Sequence, residues 1–229
     1  PWMLIVPVYG FSLTKEIEFE FKIYEVTFIS KEKFLRLRSR FGVSKMLSSM
    51  NKKFKNFFLE GLSDTLAIVQ RTGDLPKLRK DVIKIVEIEL EILSLSQLGY
   101  SNRKNNVPLS VNAKSISSQY VFSCNSDSSR ISYNRKIIGN YQILFLCQNW
   151  KKYQREYFFN NLIRIIQGTI RVNKKWRDTL KKVAILVGRS QKTMRITEAF
   201  ILNMIALEAL LTTGSDKHSI EIPRRVEAF

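Results

Sequence analysis

The sequence predicts an α+β chain, with a small antiparallel β-rich region and its helices over residues 1–149 and an all-helical bundle over residues 150–229. Three observations carry this reading. The stretch IEFEFKI, residues 17–23, alternates strictly: Ile17, Phe19, Phe21 and Ile23 on one side, Glu18, Glu20 and Lys22 on the other, the period of a half-buried strand. Residues 74–99, DLPKLRKDVIKIVEIELEILSLSQLG, instead space their apolar side chains as a helix does. After Trp150 the patterning is helical throughout.

Taken in order, PWMLIVPVYGF supplies a strand before the alternating segment. After Ile23 the apolar phase shifts to Tyr24, Val26 and Phe28, which predicts a bulge or a second strand before Ser30. SKEKFLRLRSRFG follows as a short basic helix with Ser30 as N-cap and Gly42 as its stop. The long helix over 74–99 has Pro76 near its first turn, Leu78, Val82, Val86, Leu90 and Leu93 as its stripe, Leu95 and Leu98 near its end, and Gly99 as its stop. Residues 101–135 are rich in Ser and Asn and read as loops with one strand, VFSC, in the zone of the domain boundary. IIGNYQILFLC, residues 137–147, reads as a strand or a buried helix. In NKKWRDTLKKVAILVG the residues Trp176, Leu180, Val183 and Val187 fall within about 60° of one another on a helical wheel. Lys174, Arg177, Lys181 and Lys182 point elsewhere, giving a core stripe backed by a basic face.

With 229 residues, 45% of them hydrophobic, the chain is long enough to bury a core. No window approaches about eighteen uninterrupted apolar residues, so no membrane partner is expected. Two distant cysteines, Cys124 and Cys147, suit neither a disulfide framework nor a zinc knuckle, and a single histidine cannot complete a metal cluster with them. No metal and no cofactor are therefore expected, and a reducing cytoplasm is the default location.

Charge is the strongest functional signal. Thirty-eight Lys and Arg stand against twenty Asp and Glu, a formal net charge of +18, and the excess is concentrated. Residues 31–56 carry net +8, residues 150–195 carry net +11, and everything else nearly cancels. Such fields favour polyanions, nucleic acid ahead of an anionic membrane. Arg171, Lys174, Lys175, Arg177, Lys181, Lys182 and Arg189 are the candidate nucleic-acid-binding residues.

GRSQKT, residues 188–193, ends like a phosphate-binding loop but lacks the glycine before its lysine and the lead from a first glycine; it reads as a helix–helix turn. His218, in the polar stretch TTGSDKHS, has no sequence partner for general-base work and reads as a surface or capping residue. Glu208 is more informative. On a wheel of residues 199–211, apolar side chains point nearly all round and Glu208 falls between Ile201 and Met204, which predicts a central helix with a partly buried carboxylate. Such a group needs a cation or hydrogen bonds, and the Arg224–Arg225 pair after Pro223 is an available donor.

The run AFILNMIALEALLTTGSDKHSIEIPRRVEAF resembles the Apea-like branch of the HEPN superfamily, through Leu207, Glu208, Ala209 and Leu210 on an apolar helix and then Arg225 and Val226 after a polar turn. The resemblance covers roughly thirty residues and, more loosely, the helices from about residue 150. It implies a helical bundle, often dimeric, and metal-independent RNA cleavage by a motif of an Arg, four to six residues, then a His, in members that commonly act as prokaryotic toxins or anti-phage effectors. In that chemistry an imidazole takes the ribose 2′-OH proton while an arginine stabilises phosphorane charge. The sequence departs from the pattern there: Leu211, Thr212 and Thr213 stand where the arginine before His218 should be, so the motif is expected beyond Phe229 or not at all. Glu208 and Arg225 are then the candidate site pair, as an orienting or structural couple. The chain reads as part of a longer one and as an RNA-directed, endoribonuclease-type effector that forms a homo-oligomer, with a dimer favoured. A non-catalytic nucleic-acid-binding or adaptor module and a helical oligomerisation scaffold are the alternatives.

Overall fold

The computed structural model describes residues 2–15, 18, 20–37, 43–98, 109–111, 118–125, 131–137, 144–157, 159–193 and 195–211. The fold is mixed α+β. It divides into two compact units, one comprising Pro1–Glu89 and Leu109–Tyr153, the other Leu90–Pro108 and Gln154–Phe229. The boundary is not linear: a long helix begins in the first unit and gives its last turns to the second.

All described strands belong to the first unit. The strands β1 (Trp2–Val8), β3 (Glu20–Lys22), β4 (Thr27–Ser30), β5 (Thr65–Arg71), β6 (Ser118–Asn125) and β7 (Ile131–Ile137) form one antiparallel sheet in the order β3-β4-β5-β1-β6-β7. A two-stranded parallel ribbon, β2 (Phe11–Leu13) with β8 (Leu144–Leu146), completes the set.

Register assigns the two faces. Thr27, Ile68, Ile5 and Phe122 stand side by side across four strands, so their side chains share a face. That face carries a core of Met3, Ile5, Ile29, Leu66, Ile68 and Phe122 packed with Phe34 of α1 (Lys31–Arg36), Leu47 of α2 (Val43–Ser49) and Phe58 of α3 (Lys52–Gly61). Phe58 meets Phe122 edge-on at 4.6 Å between centroids. Leu4, Val6, Ala67, Phe28 and Ser123 lie on the other face, where Arg79 of α4 (Leu75–Leu95) reaches the Ser123 hydroxyl at 3.2 Å. The sheet is thus covered on both sides, which is why β1 is buried along nearly its whole length instead of alternating.

Pro7 sits in this central strand without breaking it. Val8 donates its N–H to Ser63 on the β5 side. By alternation the missing Pro7 donor faces β6, whose pairing with β1 stops at Ile5.

Several sequence expectations are met and several are corrected. Ser30 caps α1 by accepting from the Lys33 N–H at 3.1 Å, as its position predicts. The helix ends at Arg36, and Gly42 lies outside the described residues. The alternating segment is strand only over Glu20–Lys22, with Glu18 in a left-handed turn (φ 58°) before it and Ile17 and Phe19 outside the described residues. The phase shift at Tyr24 is a turn that leads into β4, so a second strand and not a bulge accounts for it. The Ser- and Asn-rich region holds two strands, β6 and β7, because sheet pairing with β1 overrides local composition. Of the 137–147 segment, Leu144–Leu146 is strand.

The second unit is helical. After α5 (Gln148–Glu156), which straddles the boundary, come α6 (Phe159–Ile166), α7 (Lys174–Lys192) and α8 (Ile196–Leu211). Asn173 caps α7 through the Lys175 N–H. Thr193 ends α7, and its hydroxyl accepts from the Arg195 N–H and bonds Glu198, fixing the entry into α8. GRSQK is therefore the last turn of α7 and not a phosphate loop.

Candidate nucleic-acid interface and the buried carboxylates

The basic face expected on α7 is present, but rotated. The buried residues of α7 are Ala184, Gly188 and Gln191, at spacings of four and three residues on one side, and Ser190, which bonds Asn203 of α8 on another. Gly188 lies directly against the Glu91 backbone of α4. A methyl group built on it would sit 1.7 Å from the Glu91 carbonyl oxygen, so the two helix backbones touch where no other side chain fits. This rotation leaves the expected core stripe at the margin: Leu180, Val183 and Val187 are half-buried and Trp176 is 53% exposed.

Of the candidate contacts, Arg171, Lys174, Lys175 and Lys182 are exposed, and among the described residues no carboxylate lies within ion-pair distance of them. Arg177 and Lys181 are half-buried. Arg177 lies over the turn that follows α6, where a Cβ on Gly168 would come within 2.9 Å of its Nη1. Arg189 differs from the rest: its Nε and Nη2 donate to the two carboxylate oxygens of Glu91 at 3.0 and 3.2 Å. The guanidinium clasps α7 to α4 beside the Gly188 contact. Arg189→Ala is expected to cost about 1–2 kcal/mol, because it strips a mostly buried carboxylate of its cation. Chemical denaturation checks this.

Glu208 stands on α8, half-buried, in the direction shared by Ile201 and Met204. Arg225 and His218 lie outside the described residues. The expectation of a helix buried all round is corrected. Ala199, Ala206 and Leu211 are buried, but Ile196, Phe200, Ile201, Met204 and Ile205 are each more than two-fifths exposed, so α8 presents a wide apolar face.

Sequence reasoning passed over Glu89 and Glu91. In VEIELEIL and the serine after it, Glu89, Leu90, Glu91, Ile92, Leu93 and Ser94 are all buried. Two residues apart on a helix means about 200° apart, so these carboxylates point in opposite directions. Glu91 meets Arg189 within the second unit. Glu89, the last residue of the first unit, accepts three backbone N–H bonds from the β3–β4 turn: Tyr24 at 3.1 Å, Glu25 at 2.7 Å and Val26 at 3.0 Å. Burial pushes its carboxyl up to about 7, against the pull of those three donors, and the neighbouring Glu25 charge adds to the rise. The signal that could have found it is length: an apolar stripe this long, with glutamates inside it, must bury some of them.

Among the described residues no cluster of three or more His, Cys, Asp or Glu is placed to hold a metal ion, and no helix is long and apolar enough to cross a membrane. No protein-family model, curated protein or solved structure matches the chain.

Proposed function

We propose that this chain is an RNA-directed protein of HEPN type, acting as an effector of a prokaryotic toxin or anti-phage system, and that its helical unit holds the RNA backbone. The single observation that carries the reading is the group of exposed cations, Arg171, Lys174, Lys175 and Lys182, within a segment of net +11. Unpaired cations concentrated on one stretch repel one another, and a polyphosphate strand relieves that repulsion while releasing its own counterions. Glu208 and the Leu-Glu-Ala-Leu run around it support the family reading, and the apolar face of α8 offers a second copy a surface on which to dimerise.

The chemistry assigned to a catalytic member, an imidazole acting on a ribose 2′-OH beside an arginine, calls for an Arg and a His a short distance apart. That arginine precedes its histidine, and ahead of His218 the corresponding positions are Leu211, Thr212 and Thr213, an observation that favours a second reading, the non-catalytic RNA-binding module. Binding and cleavage are therefore tested together. Labelled RNA is titrated with the wild-type chain and with Lys174→Gln/Lys175→Gln/Lys182→Gln in the presence of a chelator. The expected result is a loss of affinity of about ten-fold or more in the triple variant. Equal affinity would remove this surface from the account, and intact RNA after long incubation would favour the module over the ribonuclease.

A further inference from the structure

We infer that Trp176 is a stacking platform, and that the ligand of this surface is single-stranded RNA with a base laid on the exposed indole. The inference rests on the RNA-binding reading above and narrows its substrate class. Of the three tryptophans, Trp150 is 2% exposed and Trp2 is half-buried, whereas Trp176 leaves 53% of its surface open in the first turn of α7. A ring of this size forgoes a large apolar gain when it stays in water.

Its neighbours define the partner. On the α7 wheel, Lys175 and Lys182 lie about 100–120° to one side of Trp176 and Arg177 about 100° to the other. Lys174 and Lys175 also sit at the positive end of the helix dipole, with no acidic residue in that first turn, a placement that disfavours cations until an anion arrives. An apolar protein partner would have to desolvate those charges. A duplex offers phosphates but keeps its base faces inside its own stack. A single strand alone presents phosphates to the lysines and an open base face to the indole, the combination by which aromatic residues hold unpaired nucleic acid.

The test is tryptophan fluorescence of the wild-type chain with each ligand, together with titration calorimetry of oligouridylate, a blunt RNA hairpin, inorganic polyphosphate and anionic vesicles against wild type, Trp176→Leu and Trp176→Phe. Oligouridylate is expected to quench the exposed emission, and Trp176→Leu to weaken its binding by about ten-fold. Trp176→Phe should restore most of that affinity, and polyphosphate binding should be equal in all three proteins, a pattern that loss of folding cannot produce. Oligouridylate binding that ignores the Trp176→Leu change would overturn the platform while leaving RNA binding intact. A blue shift on vesicles without quenching by oligouridylate would overturn it in favour of a membrane surface. Failure to bind RNA of either kind would remove both readings.

Discussion

Gly188→Ala is expected to destabilise the helical unit by about 3 kcal/mol, the upper range for overpacking a closed contact. Two effects compete at this position. Alanine favours a helix over glycine by about 1 kcal/mol, so a glycine inside a 19-residue helix costs stability unless something requires it. Here the new methyl group would lie 1.7 Å from the Glu91 carbonyl oxygen and 2.6 Å from its carbon. Both obstructing atoms are backbone, so no rotamer change relieves the clash and α7 must move away from α4. Displacement also stretches the Arg189–Glu91 pair beside it. Thermal or urea denaturation of the variant measures the outcome, and a melting temperature equal to or above the wild type would contradict this close approach.

Loss of the Glu89 carboxylate should be of similar size. Glu89→Ala leaves the three N–H donors of Tyr24, Glu25 and Val26 without their acceptor. Tyr24 and Glu25 are exposed enough for water to replace it, but Val26 is fully buried, so the expected cost is about 2–4 kcal/mol. The pH dependence has a definite sign. The carboxyl titrates near 7 in the fold and near 4.5 when unfolded, so the folded chain binds the proton more tightly. The contribution of this group is fully present below about pH 4.5 and is lost as pH rises through about 7. Glu89→Gln cannot titrate there, so the stability of wild type relative to this variant should fall between pH 5 and pH 8, by on the order of 2 kcal/mol. A difference that is flat across that range, or that grows, would contradict the burial of an ionisable group at this turn.

The parts of the fold legible in the sequence are those where one element's pattern is set by its own periodicity. The stripe Leu78, Val82, Val86, Leu90 and Leu93 predicts α4, and each of those residues is buried. Ser30 and the strand at Trp2–Val8 are read with equal directness. Elements that depend on distant partners are not. β6 and β7 lie in polar sequence and are strands because β6 pairs with β1, more than a hundred residues earlier. The rotation of α7 likewise follows from Gly188, whose importance comes from what it touches on α4 and not from its neighbours in sequence. At the candidate site, composition identifies the basic surface, but not that Arg189 is committed to Glu91 while Lys174, Lys175 and Lys182 face solvent. Trp176 shows the same limit: a helical wheel counts it with Leu180, Val183 and Val187, and only the packing of α7 leaves its ring open.

The central claim is that this chain binds RNA through its unpaired cations, and the salt dependence of that binding tests it most directly. Each neutralised phosphate of a single strand adds about 0.7 to the slope of log affinity against log salt, so four engaged cations predict a slope of about −3. The Lys174→Gln/Lys175→Gln/Lys182→Gln protein should retain a slope about 2 units shallower. A slope near zero in the wild type, or one that the triple variant leaves unchanged, would contradict the account.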